Sequence, residues 1–208
     1  MIVGGGSSHD FDKWYKQADA ETMKRDGLAA VSYTSDPDSI VFYLPNMDVL
    51  YLSNNQPINN PSVRQAIFNH VNSGKGVILA HAALWYNWKD WPWYNLQLAS
   101  GGSRDHNRYG PFDVTVINKN HPVTKGVVSE FTLKDELYHY MPDPAGPGIE
   151  ILANASAEGS DKRYPSVFIV RHPKARIVGI ALGHDAGSHD MVPYQTLLRN
   201  AVTWVVNR

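Results

Sequence analysis

Three histidines stand just beyond short apolar runs that lie far apart along the chain. His9 follows residues 1–3 and the glycine turn Gly4-Gly5-Gly6, His81 follows Gly76–Ala80, and His184 follows residues 176–182. An imidazole titrates near neutrality and, when neutral, is the commonest protein ligand for a metal ion, so such residues can move protons or hold a cation. An acid follows His9 and His184 directly (Asp10 and Asp185), as Asp190 follows His189. A carboxylate beside an imidazole can orient the ring or join it as a ligand. If the three apolar runs are parallel neighbours in one sheet, the rings converge at one end of it. His9, His81 and His184 then suit a divalent cation with an open coordination position, and zinc, manganese, nickel and iron all accept imidazoles with carboxylates. The same trio suits a metal-free acid/base site or a sugar pocket. Taken singly, each histidine could instead cap a helix or satisfy a loop carbonyl, and the spacing matches no compact motif such as HExxH.

Two other stretches carry chemistry. In Lys134-Asp135-Glu136-Leu137-Tyr138, an acid before an aromatic can serve as general acid/base or ligand; the alternative is an exposed acidic turn. Glu136 and Tyr138 are expected to reach the histidine pocket. Trp85, Trp88, Trp91 and Trp93 follow His81 closely. An indole offers a broad apolar face with one polar handle, which suits a sugar ring. One or two of these rings are expected at the pocket and the rest in the core. His106 closes a polar, glycine-rich stretch and is open to either reading. His121 and His172 each precede a proline and fit turns, while His70 fits a helix face.

These residues need a scaffold that brings strand ends together. Residues 1–3, 28–33, 48–52, 76–80, 112–118, 149–153, 166–170 and 176–182 read as strands, and 100–111 as a loop. Phe11, Trp14, Tyr15 and Ala18 recur at helical spacing. Residues 60–74 form a well-signalled helix: Asn60 as cap, Pro61 in the first turn, Val63, Ile67, His70 and Val71 on one face, and Gly74 at the end. Tyr194, Leu197, Leu198, Ala201, Val202 and Val205 define an amphipathic C-terminal helix. Alternating strands and helices predict a doubly wound, mostly parallel α/β sheet with helices on both faces. The later run of strands predicts an antiparallel extension at one edge. No linker divides the chain, so 1–208 reads as one domain. Ligands of such sheets bind beyond the carboxyl ends of the strands.

Composition narrows the chemistry. The 208 residues are 43% hydrophobic and 19% charged, with a net charge of -1 and scattered basic residues, which gives no case for nucleic acid or anionic membrane surfaces. No cysteine is present, so thiolate metal sites and cysteine nucleophiles are excluded. No apolar run approaches a membrane span. As it stands, the chain opens without a secretory leader and reads as cytoplasmic, or as exported if a leader precedes it. Nothing points to a nucleotide cofactor, and doubly wound domains of this size often form homodimers.

In order and spacing, GGGSSHDF, GKGVILAHAALW, the loop ending at His106, NHPVTKGV, LKDELY, ALGHD and the terminal TWVV resemble the trehalose-utilisation (ThuA-like) family, similar in fold to class I glutamine amidotransferases. The resemblance implies a flavodoxin-like sheet and a link to the breakdown of sugars or keto-glycosides. It places the family's recurrent polar residues on His9, Asp10, His81, His106, Glu136, Tyr138, His184 and Asp185. Where the amidotransferases carry a nucleophilic cysteine on a strained elbow, this chain has His81, so glutaminase activity is excluded.

Taken together, these readings make His9, His81 and His184 the metal candidates. Glu136, His106 and Asp185 are the candidates to move protons. Asp10, Trp85, Tyr138 and His189 are the candidates to contact a small sugar or glycoside. The expected activity is a lyase, hydrolase or isomerase reaction beside a carbonyl. The alternatives are a carbohydrate-binding domain without catalysis and an assembly domain.

Overall fold

The computed structural model describes residues 1–87 and 89–206. Its strands are β1 (Ile2–Val3), β2 (Tyr33–Thr34), β3 (Val49–Leu52), β4 (Gly76–Ala80), β5 (Gly101–His106), β6 (Gly110–Val116), β7 (Glu130–Asp135), β8 (Tyr138–Pro142), β9 (Ile149–Ser156), β10 (Tyr164–Val170) and β11 (Ile177–Ile180). Nine of them form one sheet in the order β2-β1-β3-β4-β11-β10-β9-β6-β7, while β5 and β8 pair separately. The first five in that order are mutually parallel, and the remaining four alternate antiparallel. β9 and β7 therefore run in the same direction as the parallel five. The strands before His9, His81 and His184 all point the same way, and so does the strand before Glu136.

Helices cover both faces. A wide-turned helix, Asp12–Asp19, continues into α1 (Ala20–Lys24); α2 (Ile40–Tyr43) and α3 (Pro61–Asn72) follow, then α4 (Ala186–His189) and α5 (Val192–Val206). Side chains of a strand alternate between faces, and β4 shows the result. Val77 and Leu79 pack with Val63, Ile67 and Val71 of α3, whereas Ile78 and Ala80 pack with Leu197, Leu198, Ala201 and Val205 of α5. Asn60 caps α3 by accepting the Ser62 N–H at 3.0 Å. Every residue expected on the apolar faces of α3 and α5 is buried. Among the described residues, no helix is long and apolar enough to cross a membrane.

Two expectations are corrected. Residues 28–33 do not form a strand; the ladder there is Tyr33–Thr34 alone, because residues 28–32 lie partly exposed along a shallow groove rather than under a neighbour. Residues 100–111 are not a loop: they supply β5 and the start of β6. Their glycines mark close backbone approach, since a Cβ on Gly101 would sit 2.2 Å from the Met141 carbonyl oxygen of β8. The alternative reading of 134–138 as an exposed acidic turn does not hold: the stretch is the junction of β7 and β8, and in β7 the inward Phe131, Leu133 and Asp135 alternate with exposed residues.

Candidate active site

Each member of the site is fixed by a different strand end. After β1, Asn55 grips the backbone of Ser7, accepting its N–H at 2.9 Å and donating to its carbonyl at 3.0 Å. The same Ser7 carbonyl accepts Nδ1–H of His9 at 3.1 Å. His81, directly after β4, has φ of 39° and opens a short 3₁₀ turn, His81–Leu84. A non-glycine residue in this left-handed region is uncommon and is held there by its surroundings. Here Nδ1–H of His81 donates to the Ala181 carbonyl, just past β11, at 2.8 Å. His184 follows Gly183, whose φ of 129° leaves room for little more than hydrogen. Glu136 follows β7. Behind these two, the buried Asp135 carboxylate accepts the N–H groups of Glu136, Gly183 and His184 at 2.6, 2.8 and 3.3 Å.

The rings converge. Centroid separations are 4.9 Å for His9–His81, 4.8 Å for His9–His184 and 5.7 Å for His81–His184. Glu136 Oε2 lies 3.2 Å from His184 Nδ1 and 3.5 Å from His81 Nε2. His9, His81, Glu136 and His184 each offer one ligand atom, all within 4.8 Å of one another. Ligands around an ion at ordinary bond lengths lie roughly 3.4 Å apart in a tetrahedral shell, so the cluster would contract by about an ångström to close on one. The chemistry of the donor set fits as well. His9 Nε2 and His81 Nε2 are buried without a hydrogen-bond partner, whereas the equally buried His184 Nδ1 is paired with Glu136 Oε2 at 3.2 Å. In His9 and His81 the other nitrogen already donates to a carbonyl, so the orphaned one carries a lone pair. A buried polar atom without a partner is costly, so the two orphaned lone pairs beside the Glu136 carboxylate form a donor set that a divalent cation would fit.

The electrostatics favour coordination at His9 and a proton at His184, which that ring would release on taking up an ion. Burial, then the neighbouring His81, lowers the His9 pKa to about 4, leaving that ring neutral and able to coordinate. Burial alone would push Glu136 up, but its contacts with His184 and His81 outweigh this and hold the carboxyl well below its usual range. The bond to Glu136 outweighs burial at His184 and raises it.

The remaining candidates divide. Tyr138 stacks on His81 at 4.3 Å, and Trp85 lies 5.5 Å from Tyr138 and 5.6 Å from His106, forming one wall. His106 Nδ1 is 4.0 Å from Glu136 Oε1 and donates to the Asn107 carbonyl at 2.7 Å, which leaves Nε2 as an acceptor. The β5–β8 ladder sets His106 beside Tyr138. Asp185 caps α4 through Gly187 N–H and takes the Tyr109 hydroxyl on both oxygens at 2.8 Å; the Tyr109 ring lies 5.3 Å from that of His184. Asp10 is instead exposed, accepting the Lys13 N–H as a helix cap. His189 is 1% exposed and turned away from the pocket, so it is not placed to touch substrate. Trp91 and Trp93 stack on each other away from the site, and Trp93 meets Phe68 of α3. Trp88 lies outside the described residues. His121 and His172 sit in turns, each ring accepting a backbone N–H, and His70 donates to the Gly76 carbonyl. A separate groove of about 510 Å³ lies at the opposite, amino end of β1 and β3, lined by Met1, Met23, Met47 and Val202, and gathers no such chemistry.

Sequence reasoning missed the supports. His189 donates through Nδ1 to Asp19 at 2.6 Å and through Nε2 to the Gly183 carbonyl at 3.0 Å. Tyr51 and Tyr194 also donate to Asp19, at 2.6 and 3.1 Å, and Tyr15 donates to Gly183 at 2.6 Å. The available signal was an acid four residues after Tyr15 on an apolar helical face, where a charge requires a partner.

The parallel half-sheet, the histidine at the strained strand end and the site beyond the carboxyl ends define a flavodoxin-like, glutamine amidotransferase-like fold without its cysteine. The family model for ThuA, described as trehalose utilisation, matches residues 2–205, and the chain belongs to that family, which ties it to carbohydrate metabolism. Among solved structures, a ThuA-like protein from Parabacteroides merdae is 22% identical with a TM-score of 0.86, over 99% of this chain and 88% of that one. A ThuA-like protein from Bacteroides uniformis is 23% identical with a TM-score of 0.80, over 99% and 90%. The CTPS glutaminase domain from Trypanosoma brucei shares 11% identity and a TM-score of 0.54, over 98% and 93%. At these identities the likeness is one of fold. No curated protein sequence matches the chain.

Proposed function

We propose that this protein is a metal-assisted enzyme of sugar catabolism that acts beside the carbonyl of an oxidised sugar or keto-glycoside, as a lyase, hydrolase or isomerase. The observation that carries the reading is the convergence of His9, His81 and His184 on Glu136, with the buried Nε2 atoms of His9 and His81 left unpartnered. His9, His81, His184 and Glu136 would hold a divalent cation: zinc, manganese, nickel or iron. Such an ion, when bound, polarises a carbonyl oxygen and makes the neighbouring C–H more acidic. His106 presents its free Nε2 at the mouth of the site and takes up that proton. Trp85 offers its face to the sugar ring. Tyr138 keeps His81 in place from the other side, and Asp185 holds Tyr109 at the rim.

The test supplies the purified protein with each of the four cations and with a panel of disaccharides and their keto derivatives, following products by NMR. Turnover should require a cation, vanish in His81→Ala, and fall by about a hundredfold or more in His106→Ala. Turnover indifferent to chelator and to loss of His81 would contradict the proposal. Sugar binding that survives loss of His81 and His184, with no turnover across the panel, would assign the chain to the binding-domain alternative.

A further inference from the structure

Asp135 ends β7, fully buried, one residue before Glu136. Four donors face its carboxylate: Glu136 N–H on Oδ1, and Gly183 N–H, His184 N–H and the Ser188 hydroxyl on Oδ2. Its two oxygens therefore reach two segments 48 residues apart in sequence, each carrying one member of the cluster. We propose that Asp135 is a positioning residue that sets Glu136 and His184 relative to each other, so that the site holds a divalent cation tightly only while this carboxylate bridges the two segments. The inference rests on the metal reading above.

Packing does not call for an acid here. The inward residues of β7 are otherwise Phe131 and Leu133, and an apolar side chain would continue that stripe. A buried carboxylate is costly unless donors surround it, and the backbone donors at Asp135 are the amides of two site residues and of the glycine between β11 and His184. The segment from Gly183 to Ser188 is docked firmly on β7: a Cβ on Gly187 would lie 1.9 Å from the Lys134 carbonyl oxygen. Tyr15 and His189 hold the Gly183 carbonyl from the far side. That peptide is thus pinned at both ends, and Asp135 joins it to the Glu136 segment. Asparagine has one acceptor oxygen and an NH₂ group. In Asp135→Asn the NH₂ must face either the Glu136 N–H or the three donors on Oδ2, and one segment is released.

Calorimetric titration with manganese or zinc tests the proposal on the full chain, alongside Ser188→Ala and the remote core variant Val71→Ala. Asp135→Asn should bind at least about tenfold more weakly, and Ser188→Ala should show a smaller loss in the same direction. Val71→Ala should lower Tm without moving affinity, which separates positioning from general destabilisation. Parent-like affinity in a folded Asp135→Asn would overturn the proposal; if that variant does not fold, parent-like affinity in Ser188→Ala does so. A parent protein that takes up no cation defeats the metal reading itself. The imidazole NMR signals of the metal-free protein then decide this inference: the His184 ring should shift in Asp135→Asn or Ser188→Ala and not in Val71→Ala, and an unmoved His184 overturns it.

Discussion

Replacing Asp19 disturbs the buried network behind the site most directly. Asp19 is 1% exposed and accepts from His189, Tyr51 and Tyr194. Both His189 nitrogens face acceptors, Asp19 and the Gly183 carbonyl, so the ring is an imidazolium. Burial works against that charge, and the attraction and hydrogen bond of Asp19 overcome it, raising the pKa. Asp19→Ala strands three buried donors and should cost about 3–5 kcal/mol. For a chain of this length that is a fall in Tm of about 6–20 °C. Asp19→Asn should cost less, about 1–2 kcal/mol, because its amide oxygen can accept both hydroxyls while its NH₂ donates to a neutral His189. The sign of the pH effect follows from the raised folded value. The charge contribution of His189 is fully present below about pH 6.5 and is lost as pH rises through its folded pKa. The stability gap between the parent and Asp19→Asn should therefore narrow from about pH 6 toward alkaline pH. Urea unfolding across that range measures both quantities. An Asp19→Ala variant within about 1 kcal/mol of the parent, or a gap that widens with pH, would refute the reasoning.

Two further outcomes follow from single groups. Burial lowers the His70 pKa to about 4, below its unfolded value, so this ring removes stability as pH falls from about 6.5 to about 4, by up to about 3 kcal/mol. His70→Gln, which keeps a donor for the Gly76 carbonyl without titrating, should flatten that acid limb in urea unfolding, and an unchanged limb would count against it. Gly183→Ala should cost about 1–3 kcal/mol, since φ is 129° and the new Cβ would lie 3.1 Å from the Tyr15 hydroxyl. Parent-like Tm in Gly183→Ala would show that the loop before His184 is free to relax.

The sequence made the scaffold legible where one local pattern dominated. β4 is a continuous apolar run because it is buried on both faces, and α3 and α5 announce their caps and stripes. Convergence of His9, His81 and His184 followed from strand direction alone. The antiparallel half was harder. Gly101 and Gly102 read as loop because close backbone approach and a turn both select glycine. Glu130–Asp135 alternates in burial, yet its inward positions end in an acid, which masks the strand. His189 looks like a pocket residue in the sequence because an acid follows it, as one follows His9 and His184. Its real partner, Asp19, is 170 residues away in sequence, and only the packing of α4 against the first helix reveals the pair. Asp135 was legible as an acid but not as a bridge, because its partners are backbone amides, which leave no trace in side-chain types.

His9, His81, His184 and Glu136 are proposed to hold one divalent cation together. Elemental analysis of tag-free protein, loaded with zinc, manganese, nickel or iron and then desalted, tests this most directly beside His81→Ala. About one ion per chain is expected in the parent for at least one of these metals, and none in the variant. A parent that retains no ion, or a variant that retains as much as the parent, would contradict the proposal.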